Sequence, residues 1–430
     1  MKTKRILVVL VLLAAVLAVG FAAGTKEVKP AGPVTIELWS SLSGSKAKVF
    51  DIQVAEYNAS QSEVKVNVIH QGGYSILRQK IAAAANAKNM PTLLICDYLD
   101  VPWYSQLGLL KSLDDLLPKA TLDDYYPAML ADLTYEGELY ALPYNRSTQG
   151  FFVNNDLIRK AGIEKPATTW DEFKKDAKTM KNLGKEYYYG YAFFHQFLFD
   201  AIAYTWGSEI GTPDGTVRLN SPATVEMMTY FQQLFNDDLL LMQPVLVGGF
   251  EEQNGAFLDG RVASVFQTTS FIPTAEKLLK YDWSFNFIPA GKGGHAVTIG
   301  GGNFGIASQA SKASTDAAIQ FLNHMAKAET IADFFMQTGN LPTRKSVMEL
   351  AEVKEFLANR PAYTVMIDQL AYGKAAPSTT KNLRDVFNRV NDMISRIILN
   401  NEHAKKVLDE YTALFQAEFD EAKSFGEFIY

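Results

Sequence analysis

Five histidines, His70, His195, His295, His324 and His403, are the side chains best suited to bind a metal or shuttle a proton near neutral pH, and their spacing decides whether they do. No two stand in an HExxH pair or at another ligand interval, so the pattern predicts no metal centre. His195 stands apart because aromatic residues surround it. The single cysteine, Cys96, excludes a disulfide framework and a thiolate zinc cluster, and reads as a small buried apolar residue. No GxSxG elbow or GxxxxGK[ST] loop occurs, and no nucleophile has an identifiable base near it in sequence. Gly300, Gly302 and Gly305 satisfy GxGxxG after an apolar strand. The next helix opens only near Ser314, too late for its N-terminus to meet a pyrophosphate, and no acidic residue follows at the required interval. These glycines are instead expected to let backbone approach a ligand, or to let a hinge strand pass closely. With 47 acidic residues, spacing alone leaves a glycosidase carboxylate pair open.

The aromatic residues say more. Between Tyr187 and Phe199 eight of thirteen positions are Tyr or Phe, with Trp206 just beyond. About half of such rings are expected to fill a core. Together they suit a cleft whose flat apolar faces stack on a sugar ring while polar side chains bind its hydroxyls.

Elements that would position these residues follow from periodicity. VTIELW from Val34, VKVNVIH from Val64 and TLLIC from Thr92 read as strands, separated by helical patterns that include Val49, Phe50, Val54 and Tyr57. Strand, helix, strand, helix, strand predicts a parallel sheet with right-handed crossovers. Ligands of such sheets sit beyond the carboxyl ends of the strands, which here are Trp39 to Ser41, Gln71 to Tyr74, and Asp97 with Tyr98. YEGELYALP predicts a hairpin turned at Glu136-Gly137. Thr169 with Glu172 predicts a capping box, and Gly162 a helix C-cap. Residues 174 to 265 read mainly as helices.

Composition bounds the class. The chain has 430 residues, 48% of them apolar, and a formal net charge of -6, with no long basic run to grip nucleic acid. Its first residues carry Lys2, Lys4 and Arg5, then an apolar run from Ile6 to Val19, then Gly20-Phe21-Ala22. That order predicts a secretory signal peptide cut after Ala22, with a polar leader over 23–33. No cysteine follows the apolar run, so no lipid attachment is expected. Loss of three cations takes -6 to -9 in the exported, acidic chain.

Several segments, in order, resemble the extracellular solute-binding proteins of ABC importers: TIELW, YEGELYALPYN, VNNDLIRKAGI, PATTWDEF, FLDGRVAS, FIPAGKGG and QTGNLPTRKS. The resemblance spans essentially the whole mature chain and is nearest to the branch that binds glycerol 3-phosphate and sugars. It implies an α/β, type II-like periplasmic binding protein fold of two lobes, each a mainly parallel sheet flanked by helices, with a hinge crossed several times. On that reading 34–143 with 296–340 forms the N-terminal lobe, and 147–288 with 341–430 the C-terminal one. The crossings fall near 143–147, 289–296 and 341.

Carried over by motif, the resemblance places ligand contacts at Tyr74 (QGGY), Ser147 (NRST), Gly301 (IGGG) and Thr268, the last within TTS. Departures are equally informative. Tyr98, with Asp97 beside it, replaces a glycerol-binding glutamate; Asn340 replaces the tyrosine of TGYLP; Asp392 aligns with a phosphate-binding arginine; and Arg384 is retained upstream. An aspartate at that position would repel a phosphate by about 4 kcal/mol at 4 Å and an effective dielectric of 20. The expected guest is therefore a neutral sugar or oligosaccharide, with glycerol phosphate or another phosphodiester as the alternative. Trp39, Phe194, His195 and Trp206 complete the candidate site as an aromatic wall. The expected protein is a periplasmic monomer without cofactor that delivers its guest to ABC permease subunits and is not an enzyme. A secreted carbohydrate-active enzyme is the rival class.

Overall fold

The computed structural model describes residues 32–191, 196–212, 216–242, 249–374 and 383–426. The predicted export leader, Phe194 and His195 lie outside the described residues. In β1 (Val34–Ser40), inward residues Ile36 and Leu38 alternate with outward ones, and β2 (Val64–His70) buries Val64 and Val66 in the same way. Between them α1 (Gly44–Ser60) presents Val49, Phe50, Val54 and Tyr57 on one face. After α2 (Tyr74–Asn86), β3 (Leu93–Asp97) is buried on both faces, as a central strand must be. The hairpin turns where expected, with Glu136 and Gly137 both at positive φ.

The chain then runs along β4 (Leu142–Ser147) and, after Thr148 alone, along β5 (Gln149–Asn154). Next come α3 (Trp170–Met180), β6 (Tyr188–Tyr191), α4 (Gln196–Thr205), β7 (Leu240–Leu241), β8 (Val262–Thr268) and β9 (Trp283–Asn286). The chain returns as β10 (Gly300–Ile306) and ends in α5 (Leu383–Ile398) and α6 (Ala404–Gly426). Two five-stranded sheets result, in the orders β2-β1-β3-β10-β4 and β9-β5-β8-β6-β7.

The two-lobed α/β architecture is therefore present, but its sheets are mixed rather than mainly parallel. In the first, β1 pairs in parallel with β2 and β3, whereas β10 is antiparallel to β3 and β4. In the second, β8–β6 and β6–β7 are parallel, and β8–β5 and β5–β9 antiparallel. The physical reason is that strands built from inter-lobe crossings do not arrive through helical crossovers, which parallel neighbours require. The expectation of mainly helical structure over 174–265 holds among the described residues, with β6, β7 and the first residues of β8 as the extended pieces the periodicity did not show. Val262 to Gln267 are all buried, so no alternation marks a strand.

Each lobe has its own core. Ile36, Leu93, Ile95, Phe50 and Phe321 anchor the first, and Phe151, Phe173, Tyr189, Phe199 and Phe266 the second. A third cluster joins Phe152 and Phe271 to Phe335 and Met129 behind the crossings. Every such side chain gains about 1.5–3 kcal/mol on leaving water. Among the described residues no helix is long and apolar enough to cross a membrane.

Thr169 caps α3 by accepting the Glu172 N–H at 3.2 Å, while the Glu172 carboxylate accepts the Thr168 N–H at 2.8 Å and its hydroxyl at 2.7 Å. The box thus closes one residue earlier than the motif predicts. Thr169→Ala should cost about 1 kcal/mol, read as a lower urea midpoint.

Candidate functional site

The carboxyl ends of β1, β2 and β3 and the inter-lobe crossings converge on one cluster. Tyr74 opens α2, and its phenol oxygen accepts the Asn145 amide at 3.3 Å. Asp97 ends β3 opposite Gly302, with its carboxylate accepting the Leu99 N–H at 3.1 Å. Tyr98 donates its N–H to the Gly301 carbonyl at 3.0 Å. Gly301 pairs with Arg146, and Gly300 with Ser147. Across the crossing, Thr268 pairs with Gln149, and the Thr269 N–H bonds the Thr148 carbonyl at 2.9 Å. Asn340 donates its amide to the Arg146 carbonyl at 2.9 Å, and the Leu341 N–H bonds that oxygen at 2.7 Å. Seven predicted residues, Tyr74, Asp97, Tyr98, Ser147, Thr268, Gly301 and Asn340, are thereby brought together. Asn340 is fully buried and bonded to backbone, so its amide fastens the crossing.

Arg146, which the sequence reading did not single out, organises the cluster. It is fully buried and donates to Asn303 at 3.1 Å, to Asp132 at 3.3 Å and to the Ile299 carbonyl at 3.0 Å. Its guanidinium lies 5.3 Å from the centre of the Tyr98 ring. Burial lowers its affinity for the proton, and the Asp132 charge opposes that shift. The Tyr98 phenol is pushed far above its ordinary range, first by burial and then by Asp97. Gln149 fixes the start of α4, since its amide bonds the Phe197 carbonyl at 2.5 Å and the Thr298 hydroxyl at 2.6 Å. Phe197 in turn sets its ring 6.3 Å from that of Tyr98, lobe against lobe.

Of the remaining predicted residues, the structure sets Asp392, Trp206 and Trp39 apart from this cluster. Asp392 lies on α5, exposed, and accepts a hydrogen bond from Tyr411 of α6, which turns it toward the outer helix pair. Its use as the counterpart of a phosphate-binding arginine therefore fails. Trp206 follows the far end of α4, ten residues or about 15 Å from the helix start. There it stacks on Trp170 at 6.4 Å and lines a groove of about 710 Å³ on the second lobe with Tyr230, Glu226 and Lys292. Trp39 shares a strand face with Glu37, to which its indole donates, and packs beside the Leu77–Leu94 core. Of the aromatic run, Tyr189, Tyr191 and Phe199 are core residues; Phe197 is the member seen at the seam. Arg384 begins α5, but its side chain lies outside the described residues. His70 pairs with Asp51 at the surface, and His295 packs between Phe287 and Tyr372.

Comparison with known proteins follows the same lines. The model of a bacterial extracellular solute-binding protein matches residues 53–362. The sn-glycerol-3-phosphate-binding periplasmic protein UgpB of Yersinia pestis is 22% identical over 368 residues, 81% of this chain and 83% of that one. Among solved structures, the cyclic alpha-maltosyl-1,6-maltose binding protein of Arthrobacter globiformis superposes with a TM-score of 0.79 at 24% identity, covering 91% of this chain and 100% of that one. UgpB of Mycobacterium tuberculosis, in complex with glycerophosphocholine, gives 0.79 at 22% identity over 91% and 99%.

Proposed function

The chain belongs to the bacterial extracellular solute-binding proteins, and from that premise we propose that it captures a neutral sugar or oligosaccharide between its lobes and hands it to the permease of an ABC importer. The observation that carries this is the polar cluster at the seam. Hydroxyl and carboxylate groups of Tyr74, Asp97, Ser147 and Thr268, with the Asn145 amide, gather there on the ends of strands from both sheets and at the start of α2. The one guanidinium that the described cluster contains, Arg146, is engaged by Asp132 and by carbonyl groups. Asp97 and Asp132 disfavour an anion, while carboxylates and amides suit the vicinal hydroxyls of a sugar. The neutrality argument thus rests on these residues in place of Asp392.

Closure is driven by contacts that both lobes make with one guest, so affinity and shape change are linked. The reading divides the chain at the crossings near 143–147, 289–296 and 341, and it needs neither cofactor nor chemical turnover. It places a monomer in the periplasm after export. The Arthrobacter and Yersinia relatives, which bind a cyclic maltosyl saccharide and glycerol 3-phosphate, set the two poles of the test. Calorimetry with maltose and maltotriose should give heat, X-ray scattering should show a smaller radius of gyration with sugar, and the sugar should be recovered unchanged. Heat with sn-glycerol 3-phosphate and none with any saccharide would reverse the choice of guest.

A further inference from the structure

Among the buried polar atoms of the described residues that have no protein partner, two belong to facing lobes at the Tyr98–Phe197 contact. The Tyr98 hydroxyl belongs to the first lobe, at the end of β3. Asp200 Oδ1 belongs to the second, one turn into α4 from Phe197, whose ring faces that of Tyr98. Asp200 has no exposed surface, and its other oxygen accepts the Gln196 amide. Standing three residues from Phe197 on α4, the Asp200 carboxyl is close enough to Tyr98 to act on its phenol.

An unsatisfied buried polar atom costs about 1–3 kcal/mol. A carboxyl buried with one oxygen idle is a poor choice for packing, since an apolar residue of similar volume would serve the core better. Two such atoms, one on either side of the Tyr98–Phe197 contact, are explained together if a third party completes both.

We propose that Asp200 and Tyr98 form one subsite, split between the lobes, that recognises a hydroxyl of the captured solute and so makes Asp200 a specificity-determining residue. A sugar hydroxyl is both donor and acceptor, so it can bridge the two atoms at once. Burial pushes the Asp200 carboxyl well above the ordinary carboxylate range, which favours its protonated form, able to donate as well as accept. A bond reaching both lobes forms only when they close, which ties recognition of that hydroxyl to closure.

This inference rests on the saccharide reading above, and its test separates the two. Tyr98→Phe and Asp200→Leu each remove an atom that has no protein partner. Without solute, Tyr98→Phe should melt at or above the temperature of the unsubstituted protein, whereas Asp200→Leu also gives up the bond from the Gln196 amide. With maltose or maltotriose, each should raise the dissociation constant about tenfold, the worth of one hydrogen bond, and the double variant should lose less than the product of the two effects. Binding unchanged within twofold in Tyr98→Phe and in any folded Asp200→Leu overturns the subsite while leaving saccharide capture intact. No heat from any saccharide with the unsubstituted protein removes both. Should Asp200→Leu fail to fold, Tyr98→Phe decides alone.

Discussion

Arg146→Met is expected to lower stability by about 3–5 kcal/mol, because it leaves Asp132 as a buried charge without its cation. The guanidinium is fully buried, and it ties its own strand to Asp132 and to the returning stretch that carries the Ile299 carbonyl and Asn303. Methionine fills much of the volume but offers no donor, so three acceptors lose their bond. Urea unfolding with and without maltose reads the loss, and weaker binding should accompany it because Ser147 and the Asn340 anchor flank the same residue. The double substitution Asp132→Asn with Arg146→Met should recover a large part of the deficit, since it removes the stranded charge. A loss below about 1 kcal/mol in the single variant would mean that the ion pair is not a structural element.

Gly301→Ala should abolish measurable sugar binding. The residue has φ of +126°, and a Cβ there would sit 1.9 Å from the Asn145 carbonyl oxygen, a backbone atom that cannot swing aside. Positive φ costs about 1–3 kcal/mol for a non-glycine residue, and forcing β10 away from β4 breaks ladder bonds worth about 0.5–1.5 kcal/mol each. The site suffers doubly, because Tyr98 hangs from the Gly301 carbonyl and Ser147 is paired with Gly300. We expect at least a hundredfold rise in the dissociation constant and a lower melting temperature. Gly162→Ala supplies the control: φ is +80°, but nothing lies within 4 Å of the added methyl. It should cost stability alone and leave calorimetric affinity unchanged.

The parts of this molecule that local physics dictates could be read from the chain directly. Alternation betrayed β1 and β2, the threonine and glutamate before α3 announced its cap, and the strand ends pointed to Tyr74, Asp97 and Tyr98. Long-range pairing hid the rest. Arg146 gives no local sign of being buried, since its partner Asp132 and the Ile299 carbonyl meet it only after folding. Asp200 sits in an apolar helix that reads as core, and its significance depends on Tyr98 in the other lobe. Which rings of the aromatic run fill the core was hidden for a related reason: ring content is the same in a wall and in a core, and only packing tells Phe197 from Phe199. Asp392 shows the converse error, in which a position transferred along a helix without an anchoring motif landed on the face that meets Tyr411.

The first sheet takes a strand, and the second core a pair of helices, from stretches of chain remote from the rest, and this bears on ancestry. Since β10 inserts between β3 and β4 after the whole second sheet has been laid down, neither half is one uninterrupted stretch of polypeptide. Exchanging one half for that of a relative therefore takes more than one genetic breakpoint, so recombination parts the jaws less readily than it would two consecutive domains.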